Sequence, residues 1–344
     1  MTGWARPLRL VGDLGGTNAR AALSADGELD LAKVIEAEAS SEAQARAVFH
    51  HCMREASTGG PLDAAFAAAG LVEGDRVKLT NGGWSFSVAE TKNALGLSRL
   101  VVVNDFVGVA LGVPYLAEGD RRTVGGGVAK GGPIAVVGAG TGLGVASLIP
   151  TAAGAVVVPG EGGHATMSSN NGFEADVLEF LRDDGRRGDG ERWGDHVSAE
   201  RVLSGPGLVN LCRAVHALAN ASSPAREPHE VTALAERGDK FGIRTMEAFC
   251  SMLGTFAGNL ALTLGATGGV YLGGGIVPRF ADFFATSGFR SSFERKGRFE
   301  PYLREIPTFL ITHRHPALLG LARMSGLASG PMAQQPTLAT GIEA

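Results

Sequence analysis

Between two short apolar segments the chain reads Gly12-Asp13-Leu14-Gly15-Gly16-Thr17-Asn18. Residues 8–11 before this stretch and residues 19–23 after it have the composition of β-strands, and glycine-rich residues between two such runs are typical of a turn. The stretch therefore predicts a β-hairpin whose glycine-rich tip tolerates unusual backbone dihedral angles. We call residues 12–17 the first glycine loop.

A second segment has the same organisation. The apolar residues 134–137 lead into Gly138-Ala139-Gly140-Thr141-Gly142-Leu143-Gly144, and the apolar residues 145–149 follow. We call residues 138–144 the second glycine loop. Two copies of one pattern predict two related halves, each of which opens with a hairpin.

The rest of the chain alternates between helix-like and strand-like segments. Helices are predicted over residues 43–56, 174–181 and 246–264, and buried strands over residues 64–69, 100–103 and 270–272. Residues 183–194 are expected to form an exposed loop, and the chain from Ser329 a loose tail. The alternation predicts an α/β fold with mostly parallel sheets, in which ligands gather at the carboxyl ends of strands.

Composition excludes several classes of function. The 344 residues, 44% apolar and 19% charged, are enough for two domains with a sizeable core. A net charge of −4 without a basic stripe argues against nucleic acid or anionic lipid as a partner. The sparse cysteines, the lack of an apolar signal core and the lack of a long apolar run predict a cytoplasmic protein without membrane contact.

Both glycine loops suggest a phosphate site. Backbone N–H groups of Gly15, Gly16 and Thr17 can converge on phosphate oxygens, and Asp13 makes sense beside a phosphate if Mg²⁺ lies between them, often through water. The alternative is a plain hairpin turn with Asp and Gly chosen for turn chemistry. Four alternating glycines in the second loop exceed what a hairpin needs and favour a pair of loops that clamp a nucleotide. No P-loop or strict GxGxxG motif is present.

Asn104 and Asp105 follow a valine-rich strand. A carboxylate at a strand end can accept the proton of an attacking hydroxyl, which is the role of the catalytic Asp in kinases. Asn104 can bridge a neighbouring hydroxyl as donor and acceptor. The alternative is a strand-ending Asx turn, which is the more common use of such a dipeptide.

Two further segments hold polar candidates. Glu161 and His164 stand among flanking glycines in residues 159–164, where both can hydrogen-bond vicinal hydroxyls; a metal site would want more ligands nearby. Residues 197–205 predict a short helix with Ser198 as N-cap and Gly205 as terminator. Composition alone does not select any residue of that helix for function.

Several motifs occur in one order along residues 8–325. They are residues 12–20, Thr80-Asn81 with Trp84, Asn104-Asp105-Phe106, and residues 138–145, 159–164, 197–208, 273–280 and 296–299. With these motifs the chain resembles the bacterial glucokinases of the hexokinase–Hsp70–actin ATPase superfamily. The zinc-binding cysteine cluster of the related repressor–ORF–kinase family is absent from the sequence, so that sister family is not expected.

The resemblance implies a two-domain, actin-like ATPase (ribonuclease H-like) α/β fold with a cleft between the domains. The small domain would comprise residues 1–111 and 313–344, and the large domain residues 112–312. Members of this family are usually homodimers, so a homodimer is implied as well.

The resemblance also implies ATP, Mg²⁺ and glucose as ligands. Asp105 would be the base, and the glucose contacts would be Asn104, Asp105, Glu161, His164 and Glu200. Glu200 is a candidate by this resemblance alone. The metal contact would be Asp13, through water, and the nucleotide contacts would be Gly12, Asp13, Leu14, Gly15, Gly16, Thr17, Gly138, Gly140, Thr141, Gly142, Gly273, Gly274 and Gly275.

Some features depart from the family pattern, and two other functions would account for part of the sequence. Gly82 and Gly83 replace bulkier polar residues, and residues 183–194 have the character of an insertion. A non-enzymatic or chaperone-like actin-fold ATPase would keep the glycine loops without needing Asp105 and its polar neighbours. A sugar-responsive transcription regulator would need a helix-turn-helix extension, and few residues precede the first strand.

Overall fold

The computed structural model of the chain describes residues 8–54, 62–80, 82–152, 154–187, 194–325 and 337–338. The strands are β1 (Leu8–Leu14), β2 (Asn18–Ala25), β3 (Glu28–Leu29), β4 (Ile35–Glu38), β5 (Asp63–Ala68), β6 (Gly70–Glu73), β7 (Arg76–Leu79), β8 (Ser85–Ser87), β9 (Arg99–Asn104), β10 (Arg121–Gly125), β11 (Ile134–Ala139), β12 (Leu143–Thr151), β13 (Gly154–Gly160), β14 (Gly269–Gly273), β15 (Thr308–Ile311), β16 (Met324–Ser325) and β17 (Thr337–Leu338). The helices are α1 (Glu42–Arg54), α2 (Val88–Ala94), α3 (Asp105–Gly112), α4 (Gly172–Arg187), α5 (Glu200–Leu203), α6 (Gly205–Leu218), α7 (Pro228–Glu236), α8 (Lys240–Leu264), α9 (Ala281–Thr286), α10 (Phe289–Glu294), α11 (Glu300–Glu305) and α12 (Pro316–Arg323).

The chain folds into two units. The first contains residues 1–120, 146–159 and 313–344, and the second contains residues 121–145 and 160–312. Each unit has its own apolar core, as expected for a chain of this length.

The first unit is built on a mixed sheet with the strand order β3-β2-β1-β5-β9, and β4 also pairs with β2. β1 and β2 form the predicted antiparallel hairpin, whereas β1, β5 and β9 run parallel. In their registers Leu14 aligns with Ala68, and Ala68 with Asn104. The first glycine loop and Asp105 therefore leave the sheet at the same edge.

Close packing accounts for the glycine at position 12. A Cβ there would lie 2.6 Å from the Phe49 ring and 2.8 Å from the Phe66 ring, and these rings stack with centroids 4.2 Å apart. Because interiors pack to crystal-like density, a methyl group would not fit without displacing the rings. Gly12 therefore faces the apolar core.

The helix that begins with Asp105 is held against α12 by small residues. A Cβ on Gly320 of α12 would lie 2.2 Å from the carbonyl oxygen of Gly108 and 2.5 Å from the amide nitrogen of Gly112, both in α3. A Cβ on Gly112 would in turn lie 2.3 Å from the carbonyl oxygen of Pro316. The two backbones touch, so the position of α3 is set by α12.

The second unit contains the consecutive strands β10-β15-β14-β11 of a mixed sheet, in which β11, β14 and β15 run parallel. Gly138 of β11 aligns with Gly273 of β14. The second glycine loop and the glycine triplet at residues 273–275 therefore emerge side by side. The buried helix α8 packs across the apolar core of this unit.

The structure confirms most of the predicted elements. Both hairpins and the strands and helices predicted around them are present, with β5 and β14 buried as expected. The expectation of mostly parallel sheets is wrong, because β1–β2, β2–β4 and β10–β15 add antiparallel pairing to short parallel centres. None of the helices within the described residues has both the length and the apolar character that crossing a bilayer requires.

Two predicted loops differ from the structure. α4 continues to Arg187, so the first part of the expected loop at residues 183–194 is helical, and Asp184 in its last turn bonds Arg213 at 2.8 Å. Thr337 and Leu338, expected in a loose tail, form β17, which pairs with β13 and β16. Asn81, residues 188–193 and, within the predicted tail, residues 329–336 and 339–344 lie outside the described residues.

Candidate active site

The first glycine loop closes the hairpin of β1 and β2. The Gly15 N–H donates to the Asn18 carbonyl at 2.9 Å, and the Ala39 N–H donates to the Thr17 carbonyl at 2.9 Å. A Cβ on Gly15 would lie 3.4 Å from the Asn18 carbonyl oxygen, and Gly15 does not have a left-handed φ. Neither a clash nor an unusual dihedral angle therefore requires glycine at position 15.

Asp13, at the carboxyl end of β1, is one of three charged side chains that are linked by ion pairs. Its Oδ2 lies 3.1 Å from an Arg20 nitrogen, and Arg20 also pairs with Glu36 at 2.8 Å. Burial raises the pKa of Asp13, and Arg20 partly offsets this effect. A cation that reaches this carboxylate would favour its ionised form, so the site fits Mg²⁺ held mainly by phosphate and water oxygens.

Asn104 and Asp105 begin α3. The Asn104 Oδ1 accepts the Phe106 N–H at 2.9 Å and so caps the helix, while its Nδ2 donates to the Gly70 carbonyl at 3.4 Å. The alternative prediction, in which the Asn104 side chain forms an Asx turn at the end of the strand, is thus correct. Asp105 occupies the first helical turn, where the helix dipole favours an ionised carboxylate. Because α3 starts where β9 ends, Asp105 stands at the sheet edge of the first glycine loop.

In the second unit, the second glycine loop turns tightly between β11 and β12. The Gly140 N–H donates to the Gly142 carbonyl at 2.8 Å, and the side chain of Thr141 is exposed at the tip. Gly140 and Gly142 do not have a left-handed φ. The Leu143 N–H, just after the turn, donates to Glu200 Oε2 at 2.8 Å.

The glycine triplet at residues 273–275 lies against this loop. Gly274 has φ +84°, and a Cβ there would lie 2.2 Å from the Ala139 carbonyl oxygen. The same oxygen accepts the Ile276 N–H at 3.2 Å. Only glycine fits this position, and a Cβ on Gly275 would meet nothing within 4 Å.

Glu161 and His164 lie on one exposed turn. The His164 N–H donates to the Glu161 carbonyl at 3.0 Å, and the side chains are 3.9 Å apart at Nε2 and Oε2. Their side chains are 76% and 62% exposed, so this pairing contributes little and both remain available to a ligand. A Cβ on Gly163 would lie 2.0 Å from the Leu143 carbonyl oxygen, which brings the turn beside the second glycine loop.

The predicted roles of Ser198 and Gly205 are wrong. Ser198 pairs with Thr166 in an isolated β-bridge, and α5 begins after Ala199 without a side-chain cap. Gly205 does not terminate a helix but opens α6, because Ser204 Oγ accepts the Gly207 N–H at 3.0 Å as its N-cap. A serine followed by proline in the first turn is a helix-start signal that the sequence carried.

The structure thus brings the predicted residues together in two sets. In the first unit the first glycine loop shares a sheet edge with Asn104 and Asp105. In the second unit the Glu161–His164 turn and Glu200 contact the second glycine loop at Leu143, and the glycine triplet contacts the same loop at Ala139. Leu143 was missed by sequence reasoning because it acts through its backbone N–H, which has no residue signature. The Ser204 cap was missed although its helix-start signal was present in the sequence.

Among the described residues, no group of three or more His, Cys, Asp or Glu side chains is arranged to hold a metal ion. A cation at Asp13 would therefore depend on ligands from a bound nucleotide. That requirement suits Mg²⁺, which is commonly held by one or two carboxylates together with substrate phosphates.

Comparison with known proteins identifies the family of the chain. The sequence model of the glucokinase family matches residues 10–327. The glucokinase of Paramagnetospirillum magneticum is 48% identical over 326 residues, which cover 94% of this chain and 98% of that protein. The crystal structure of a glucokinase from an Antarctic psychrotroph has a TM-score of 0.78 at 34% identity, covering 92% of this chain and 97% of that one.

A ROK-family glucokinase from Streptomyces griseus, solved with glucose and AMPPNP, has a TM-score of 0.61 at 19% identity, covering 92% of this chain and 98% of that one. At this identity the likeness concerns the fold alone. The expected actin-like ATPase fold is confirmed by these neighbours. With a family match over residues 10–327 and close relatives along almost its whole length, the chain belongs to the glucokinase family.

Proposed function

We propose that this protein transfers the γ-phosphate of ATP to the 6-hydroxyl of glucose, giving glucose 6-phosphate and ADP. The observation that carries the proposal is the common sheet edge of the first glycine loop and Asp105. A phosphate-binding loop and a carboxylate base at one edge are what phosphoryl transfer to a hydroxyl needs. Membership of the glucokinase family supports glucose as the acceptor.

Asp105 acts as the base in this proposal. It accepts the proton of the 6-hydroxyl as that oxygen attacks the γ-phosphorus, and its position in the first turn of α3 favours the ionised form. Asn104, Glu161, His164 and Glu200 hold the other hydroxyls, so that the 6-hydroxyl is oriented for attack. The exposed side chains of Glu161 and His164 support this assignment.

The nucleotide is assigned to both glycine loops and to the glycine triplet. Asp13 would hold Mg²⁺ through water, and Mg²⁺ would supply charge neutralisation on the phosphates. We propose in addition that the two units act as a small and a large domain in one reaction, that the protein is a homodimer, and that it works in the cytoplasm in glycolysis. The ATP analogue in the Streptomyces griseus structure supports the choice of nucleotide.

A coupled assay tests the proposal. ADP formation from MgATP should be slow without sugar and should rise by orders of magnitude with glucose, because water cannot replace a positioned hydroxyl. A chaperone-like actin-fold ATPase would hydrolyse ATP at a rate that glucose does not change. A non-enzymatic protein would form no ADP with or without glucose. The same assay with mannose, fructose, glucosamine and other phosphoryl donors would define the specificity.

The metal assignment makes a separate prediction. Replacing Asp13 with Asn should raise the Mg²⁺ concentration needed for half-maximal activity by about tenfold or more, as for other outer-shell metal partners. Glu36→Gln is the matched control, because Glu36 also binds Arg20 but is not assigned to the metal. An unchanged Mg²⁺ titration for Asp13→Asn, or full activity in excess EDTA, would rule out this role.

A further inference from the structure

Glu200 makes a contact that a sugar-binding residue does not need. Its Oε2 accepts the Leu143 N–H at 2.8 Å, across 57 residues of sequence. A carboxylate offers two oxygens with about four lone-pair sites, so Oε1 remains available to a sugar hydroxyl. A hydrogen bond from a backbone N–H to an ionised carboxylate is of the stronger, charge-assisted kind.

The segment that carries Glu200 is joined to the second glycine loop at a second point. The Gly205 N–H donates to the Gly140 carbonyl at 2.8 Å. Ser204 stiffens the connection between these points, since its Oγ donates to the Glu200 carbonyl at 2.8 Å and accepts the Gly207 N–H at 3.0 Å. Gly140 and Leu143, on either side of the loop tip, are thus both hydrogen-bonded to the segment that contains Glu200.

The loop is also shaped to admit this carboxylate. A Cβ on Gly142 would lie 2.6 Å from Glu200 Oε2, closer than atoms can approach. Because Gly142 does not have a left-handed φ, the conflict of a Cβ at position 142 is with the Glu200 carboxylate, which would have to move. A Cβ on Gly140, two residues earlier, would meet nothing nearer than 4.0 Å.

We propose that Glu200 is a positioning residue that couples the sugar site to the second glycine loop. One carboxylate oxygen holds the loop through Leu143, and the other binds the sugar. This inference rests on the proposed function for the sugar contact, whereas the contact with the loop is independent of it. By linkage, whatever factor bound nucleotide adds to sugar affinity through this contact, bound sugar must add to nucleotide affinity.

Nucleotide binding without sugar is the first test. Glu200→Ala should weaken AMPPNP binding to the glucose-free protein by about fivefold or more, because the loop loses its anchor. Glu161→Ala is the matched control, since it removes a carboxylate of the same proposed sugar site whose side chain pairs with His164 rather than with the loop. Equal AMPPNP affinities for the wild type and both variants, by calorimetry, would overturn the proposal.

Sugar binding without nucleotide is the second test. Gly142→Ala pushes the Glu200 carboxylate aside and should weaken glucose binding about tenfold. Gly172→Ala should bind glucose as the wild type does, because Gly172 is exposed in the same unit and a Cβ there would meet nothing within 4 Å. Equal glucose affinities for these two variants would also overturn the proposal. If the wild type binds no glucose, the proposed function fails, and the AMPPNP measurement still decides whether Glu200 anchors the loop.

Discussion

Replacing Asp105 with Ala is expected to lower kcat by about 10²–10⁴-fold, which is the usual contribution of a positioned general base. Glucose binding should persist in weakened form, because Glu161, His164 and Glu200 belong to other segments of the chain. The loss should therefore appear mainly in kcat and less in KM. Steady-state kinetics with glucose and MgATP would measure both quantities.

Asp105→Asn separates the chemical role from the structural one. Asn can still accept the Phe106 N–H, which lies 3.0 Å from Asp105 Oδ1, so the start of α3 should be preserved. It has no basic carboxylate, so kcat should fall as far as in the Ala variant. Near-full turnover of Asp105→Asn would show that Asp105 is not the base.

Gly320→Ala is expected to destabilise the protein by about 3 kcal/mol or more, because overpacking against backbone cannot be relieved by a rotamer change. The new Cβ would lie 2.2 Å from the Gly108 carbonyl oxygen and 2.5 Å from the Gly112 amide nitrogen, so α3 and α12 must separate. For a domain of this size the melting temperature should fall by about 10 °C. Differential scanning calorimetry would measure this change.

Gly119→Ala serves as the control for that variant. Gly119 lies in the same unit, is exposed, and its Cβ would meet nothing within 4 Å, so its stability should change by less than about 0.5 kcal/mol. Since α3 begins with Asp105, folded Gly320→Ala should also lose specific activity. Similar melting temperatures for the two variants would contradict the proposed tight packing of α3 against α12.

The hairpins and the main strands could be predicted from sequence because their signals are local. Apolar runs on both sides of residues 12–17 specify strands, and glycine-rich turns join them without regard to distant residues. The same holds for β9, where the change from valines to Asn104 and Asp105 marks both the end of a strand and the start of a helix.

The helix boundaries around Glu200 could not be predicted correctly, because the segment contains two serines, either of which could cap a helix. Ser198 and Ser204 are both plausible N-caps by residue type. In the structure the backbone of Ser198 forms a bridge with Thr166 and α5 begins after Ala199, whereas the Ser204 hydroxyl caps α6 beside the Gly140 carbonyl. A similar contact, between Asp184 and Arg213, accompanies the extension of α4 into a segment with the composition of a loop.

Local pattern alone was sufficient for the α/β class, the two glycine loops and a carboxylate at a strand end, since periodicity and turn chemistry are properties of short segments. Only the tertiary structure could reveal why Gly12 and Gly320 must be glycines, and how Glu200 meets Gly142 and Leu143. These features depend on which distant atoms approach within 3 Å after folding, and close packing of separate elements is not encoded in any one segment.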